Sequence, residues 1–338
     1  MARRVALVTG AGGEMGHGLL PRLAGQGLEI VALDVRELPA ATVSRCAESV
    51  VGSVLDSELL QDVFRRHSPE IVFHLAAVLS SKAEKDPDLA HRVNVDGTAS
   101  LMKLCVDEAR GSARPVRFLF PSSIAVYGLP DRRAKDAAGA VREGDWNAPS
   151  GMYGCNKLYG ELLGTYWTGR AGREGAPGLD FRSIRFPGLI SADTLPTGGT
   201  TDYAPEMIHA AARGVPYACF VRGDTRLPFM TMPDAVEAML KLASAPATAL
   251  TTRVYNIGAF GPTADEIRDA VLAHFPGAAI TFDPQPQRQA IVDSWPEDVD
   301  DSRARADWGH APVHGLREAL ADYLIPALKR SSGAAENR

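Results

Sequence analysis

Tyr153 and Lys157 stand four residues apart in a stretch, 152–168, whose apolar spacing is helical, so both side chains leave one face of the same helix. Pro149 and Ser150 are expected to open it. A phenol, with an ordinary pKa of ~10, is a poor base at neutral pH, but an ammonium held beside it favours the phenolate. Such a phenolate can accept the proton of an alcohol while hydride leaves the same carbon. Taken alone, the spacing also fits a packed tyrosine beside a solvated lysine. Position argues for chemistry. The pair follows an apolar run ending Phe120-Pro-Ser-Ser123, and Ser123, at a strand's carboxyl end, stands where parallel α/β sheets hold ligands; it is expected to orient the reacting hydroxyl. Asn94, in Val93-Asn-Val-Asp-Gly-Thr98, lies in a helix its side chain does not favour. Either it anchors a water near Lys157 or it bonds its own backbone.

A leaving hydride needs an acceptor. The apolar run 5–9 leads directly into Gly10-Ala-Gly-Gly13-Glu-Met-Gly16, and the residues after it can open a helix. Glycines there let backbone approach a pyrophosphate, and a helix N-terminus offers it free amides. A glycine trio by itself also fits a plain strand-to-helix turn. Asp34 strengthens the reading: it ends the next apolar run about 20 residues on, where a carboxylate accepts both adenosine ribose hydroxyls. It would also repel a 2′-phosphate, which favours NAD over NADP, with Arg36 as the one contrary sign. Leu75, Ala76 and Ala77 follow His74, where small side chains let backbone reach the nicotinamide ribose or simply close a buried strand.

These groups need elements to hold them. Short β-branched runs at 5–9, 29–33, 71–75, 117–120 and 181–185 alternate with helical spacing at 18–24, 57–67, 89–109 and 152–168. That alternation predicts an α/β fold: a doubly wound parallel sheet of Rossmann type. The dinucleotide-binding domain is expected over 1–186, its sheet completed by about 230–262. A smaller, interleaved C-terminal substrate lobe takes 187–229 and 263–328, and 329–338 is expected to fray. At 338 residues the chain can bury a large core plus a lobe, and its net charge of −5 carries no basic run to neutralise nucleic acid. It has no apolar stretch long enough for a membrane span, so a cytoplasmic location is expected. Cys46, Cys105, Cys155 and Cys219 lie far apart and, like the histidines, show no metal-ligand spacing.

TGAGGEMG, HLAA, NVDGT, PSSIAVYG and YGCNK, in this order, resemble extended short-chain dehydrogenases related to UDP-galactose epimerase, over nearly the whole chain. In the second half RFPGLIS, GGTTDYA, DTRLPFMTMPDA and RQAIVDSWPEDVDDSRARADWG look like the short-chain L-threonine 3-dehydrogenase family. The resemblance implies oxidation of L-threonine to 2-amino-3-oxobutanoate with NAD and no metal. It implies substrate contacts from Ser80, Ser123, Tyr153, Gly188 and Thr200, with Thr201 and Trp295 bordering the pocket. Cofactor contacts are expected from Gly10, Gly13, Glu14, Met15, Gly16, Asp34, Val35, Arg36, Ser53, Val54, Leu75, Ala76, Ala77, Tyr153, Lys157 and Phe186. It also agrees with a homodimer, expected because Leu101, Met102, Leu158 and Leu162 exceed what covering one sheet face requires.

The chain departs from that family in three places. Ser123 stands where threonine is usual, Gly151 likewise, and Ser53 replaces the acid expected at the adenine edge. The nearest rival is a nucleotide-sugar epimerase. Such an enzyme places an arginine seven residues before the aspartate matching Asp234, where this chain has Leu227 with Arg226 one residue off. A dehydratase needs an acid pair where Ile124 and Ala125 stand. A dehydrogenase for another small hydroxy acid, and a non-catalytic NAD-binding sensor, complete the alternatives.

Overall fold

The computed structural model describes residues 4–196 and 199–336, with side chains described as far as Arg330. Its central sheet has seven strands: β1 (Val5–Thr9), β2 (Glu29–Asp34), β3 (Glu48–Val51), β4 (Ile71–His74), β5 (Val116–Ser123), β6 (Leu179–Phe186) and β7 (Val254–Asn256). All pair in parallel, in the order β7-β6-β5-β4-β1-β2-β3. The order reverses between β1 and β4, and the crevice outside the strand ends at that switch is where such sheets bind ligands.

Both faces of the sheet are apolar, as parallel strands between helical layers require. Ala6, Val8, Ile30, Ala32, Leu119 and Ile184 pack under helices α1 (Glu14–Ala24) and α5 (Met232–Ser244), while Val5, Leu7, Val31, Leu33, Phe118 and Phe120 pack on the opposite side. There they meet α2 (Ser57–His67), α3 (Thr98–Ser112) and α4 (Met152–Glu174). β3 is missing from the sequence reading, because its four residues, Glu-Ser-Val-Val, lack a clear apolar run.

Of the 230–262 stretch only Val254–Asn256 joins the main sheet. Phe229–Thr231 pairs instead with Gly188–Ile190, in a separate two-stranded sheet beneath the substrate lobe. A further core cluster, around Tyr203, Met207, Phe220, Phe229, Ile267 and Leu324, also takes in Ile124, Val126, Tyr127 and Val141 from the first 186 residues. The last helix, Ile325–Glu336, continues through the stretch from Lys329 where fraying is expected, since its alanines, lysine and arginine favour helix. Residues 337–338, like Thr197 and Gly198, the latter opening the GGTTDYA motif, lie outside the described residues.

Candidate active site

The expected cofactor residues gather along the carboxyl ends of the strands. At the end of β1, Gly10 has φ +68°, and a Cβ there would stand 2.5 Å from the Ala76 backbone nitrogen. One at Gly16 would stand 2.3 Å from the Ala11 carbonyl oxygen, so neither position accepts a larger residue. Gly13 is the N-cap of α1 and caps it with no side chain, leaving first-turn amides for an anion. In that first turn, burial and then the nearby Asp202 carboxylate push Glu14 up to about 7. A carboxyl half protonated at neutral pH repels a diphosphate less than an ordinary glutamate does. Met15 packs on the α1–α5 core.

Asp34, buried at the end of β2, accepts the Gly12 amide at 2.8 Å and the Arg36 amide at 3.0 Å, so one carboxylate ties the glycine loop to the end of β2. The exposed Arg36 guanidinium reaches the Gly12 carbonyl at 3.4 Å, and Val35 between them is exposed. Ser53 turns its hydroxyl onto its own loop, accepting the Leu55 amide at 3.1 Å, beside the buried Val54. Leu75 donates its amide to Thr9 at 2.9 Å, and Leu75, Ala76 and Ala77 are half-buried, while Phe186 at the end of β6 is buried. A cradle that a Cβ would fill, an uncapped helix start and a buried carboxylate at the second strand end together fit a dinucleotide.

Helix α4 begins at Met152 with Gly151 as its N-cap, and it lies unusually close to β5. A Cβ at Gly160 would be 2.6 Å from the Phe120 ring, and one at Gly154 would be 2.0 Å from the Ala125 carbonyl. This approach lets Lys157 donate from Nζ to the Pro121 carbonyl at 2.7 Å, 4.6 Å above the Phe120 ring centroid and 5.5 Å from that of Tyr153. Burial pushes Lys157 down to about 7, against the attraction of Glu161 one turn on, and burial raises the Tyr153 phenol. Glu161 forms a buried bidentate pair with Arg185, at 2.9 and 2.6 Å.

Ser123 ends β5 with its hydroxyl accepting the Ala125 amide at 3.1 Å. Asn94 sits in a π-helical turn, Arg92–Gly97, and its side chain does not bond its own turn. It accepts the Val78 amide at 2.7 Å and donates to the Val78 carbonyl at 2.9 Å and to Asn156 at 3.3 Å, the residue before Lys157. His74, named in sequence only as a strand end, is buried and bonded to Thr9 and Thr98 at 2.7 and 2.8 Å, and burial pushes its pKa down to about 3. A neutral imidazole thus joins β1, β4 and α3 under the site.

In front of Tyr153 lies a cleft lined by Ser80, Glu84, Ala125, Gly151, Gly154, Thr200, Ile291 and Trp295. Thr200 comes from the substrate lobe and donates its amide and hydroxyl to Ser80 at 3.2 and 3.0 Å. Its loop is held by the Gly199 amide on Asp202 at 2.6 Å and by Arg288 on the Gly199 carbonyl at 3.0 Å. Gly188 and Thr201 stand behind this lining. The Gly188 amide is committed to the Pro228 carbonyl at 3.0 Å, and a Cβ there would meet the Phe229 ring at 2.5 Å and Thr201 at 3.2 Å. Sequence reasoning did not single out Glu84. Its signal was indirect: a glycine N-cap at 151 leaves the start of α4 in want of an acceptor from elsewhere.

Residues 6–258 match the NAD dependent epimerase/dehydratase family. The chain is 35% identical over 319 residues to a mitochondrial L-threonine 3-dehydrogenase of Bos taurus, covering 94% of this chain and 81% of that one. An L-threonine dehydrogenase structure from Clostridium difficile superposes with a TM-score of 0.86 at 30% identity, covering 98% of this chain and 99% of the other. A monomeric L-threonine 3-dehydrogenase from a metagenome gives 0.85 at 33% identity, covering 96% and 99%. The glycine cradle, Asp34 and the Tyr153–Lys157 pair on one sheet edge agree with these likenesses, and the chain belongs to the NAD-dependent epimerase/dehydratase family as an NAD-dependent dehydrogenase of the extended short-chain type.

Proposed function

We propose that the protein oxidises the 3-hydroxyl of L-threonine to 2-amino-3-oxobutanoate, with Tyr153 as the base. The observation that carries this reading is the lining of the cleft, with Tyr153 on one side and the paired hydroxyls of Ser80 and Thr200 on another. Its hydroxyls suit a carboxylate. NAD supplies the hydride acceptor. Tyr153 takes the hydroxyl proton, which Lys157 makes easier when it is protonated, and Ser123 orients the hydroxyl from the β5 end. Asn94 and Asn156 position the turn before Lys157 through their shared bond.

A nucleotide-sugar substrate is disfavoured by two side chains. Leu227 is fully buried, and Arg226 donates to the Gly261 carbonyl and pairs with Glu266 at 3.2 Å, so neither offers a free cation for a pyrophosphate. The decisive experiment is NADH formation with L-threonine, set against a nucleotide sugar and a simple hydroxy acid. Turnover of either alternative without turnover of threonine overturns the reading. Tyr153→Phe should lower kcat about 10²-fold while NAD binding is kept.

The reading extends to a homodimer in the cytoplasm. Leu101 and Met102 do not serve as interface residues, because both are fully buried in the chain's own core. Leu158 is half-buried against the lobe, but Tyr159, Leu162 and Tyr166 are 46%, 63% and 50% exposed along one stripe of α4, which suits the same stripe of a second copy. The free thiols of Cys46, Cys105, Cys155 and Cys219 suit a reducing compartment. Among the described residues no helix is long and apolar enough to cross a membrane.

A further inference from the structure

Glu84 lies on the short helix Ser80–Lys85, and its carboxylate reaches across to the start of the catalytic helix, where Oε1 accepts the Met152 amide at 2.6 Å. Gly151 makes this possible: a Cβ at that position would stand 2.8 Å from the same oxygen. The N-cap hydroxyl that a threonine would bring is thus replaced by a carboxylate from a different element, placed at the positive end of the α4 dipole.

The same carboxylate lines the cleft. Among Ser80, Tyr153, Thr200, Trp295 and the other lining residues, Glu84 is the one that carries a formal charge. Lys82 and Lys85 share its helix, yet among the described residues the Glu84 carboxylate has the Met152 hydrogen bond and no ion pair. A small zwitterion entering this cleft meets one negative group and two hydroxyls. Its carboxylate is repelled from Glu84 and turned toward Ser80 and Thr200, and its ammonium gains a charge-assisted hydrogen bond only on the Glu84 side. With the hydroxyl held at Tyr153, three attachment points fix the orientation of the reacting carbon.

We propose that Glu84 is the specificity-determining residue of this site, receiving the substrate's α-ammonium and so selecting 2-amino-3-hydroxy acids over hydroxy acids that lack the amine. The proposal rests on the threonine reading above. Glu84→Gln tests it, because the amide oxygen still caps Met152 while the charge is gone. The assay compares kcat and KM for L-threonine and for 3-hydroxybutanoate in the parent and the variant, alongside NAD binding and Tm. The variant should raise KM for L-threonine by about 10-fold or more, with kcat changed by less than about 3-fold and with NAD binding and Tm kept. Its preference for threonine over 3-hydroxybutanoate should fall by a similar factor. An unchanged KM and an unchanged preference would overturn the role of Glu84 while leaving the threonine reading intact. A parent enzyme inert toward L-threonine would defeat that reading instead. A second measurement needs no variant: L-2-aminobutanoate should inhibit the parent enzyme at about 10-fold lower concentration than butanoate, and equal potency would overturn the proposal.

Discussion

Replacing Lys157 by methionine should make the protein more stable at pH 6 and inactive, and the size of the effect follows from where the ammonium sits. Lys157 is 4% exposed, and burial pushes its pKa from 10.5 down to about 7. Between those values the unfolded chain holds a proton that the folded chain sheds. The unfolded state therefore binds more protons, and stability rises with pH through that window. Below pH ~7 the whole penalty is in force, about 5 kcal/mol for the full displacement at roughly 1.4 kcal/mol per unit. Methionine removes it but leaves the Pro121 carbonyl without its donor, at a cost of about 1–3 kcal/mol. The net gain at pH 6 is then about 2–4 kcal/mol. By pH 9 the parent should have recovered roughly 2.5 kcal/mol of this difference. Urea unfolding of cofactor-free parent and variant at pH 6, 7, 8 and 9 measures the gap. Titrations common to both proteins, such as those of Glu14 and the cysteines, cancel in the comparison. A gap that stays constant within about 0.5 kcal/mol across this range would refute the claim that the folded protein holds Lys157 at a displaced pKa. Such a stability cost at a functional lysine is expected where chemistry and folding compete for the same group.

Asp34→Ala should raise KM for NAD by about 10-fold and narrow the preference for NAD over NADP, since it removes both the ribose acceptor and the anchor of the Gly12 and Arg36 amides. Steady-state kinetics with both cofactors checks it, and an unchanged preference counts against the assignment. Leu162→Glu, on the exposed stripe of α4, should convert a dimer to a monomer by light scattering at micromolar concentration, with little change in Tm, because the side chain is 63% exposed in the single chain. A parent protein that is already monomeric defeats the homodimer.

Much of the fold was legible because parallel sheets buried on both faces leave apolar runs of fixed length. β1 matches its run to the residue, and helix Ser57–His67 matches its predicted span, where Asp56 caps the start and Ser68, in the left-handed region, ends it. The strand-end turns expected to hold the cofactor were legible for a related reason: Gly10 and Gly16 stand where a strand end is followed at once by a turn, which the chain writes in consecutive residues. The i, i+4 spacing of Tyr153 and Lys157 was equally local. What lay beyond the sequence depended on contacts between distant segments. The cleft exists because Thr200 of the lobe meets Ser80 across 120 residues. Leu101 and Met102 looked surplus only because helical spacing does not say how many layers lie above a face. Glu84 gained its place from a carboxylate meeting an amide 68 residues away. Spacing within an element is set by backbone periodicity and can be counted along the chain. Which side chains share a cavity is set by how elements pack, and only the tertiary structure decided that.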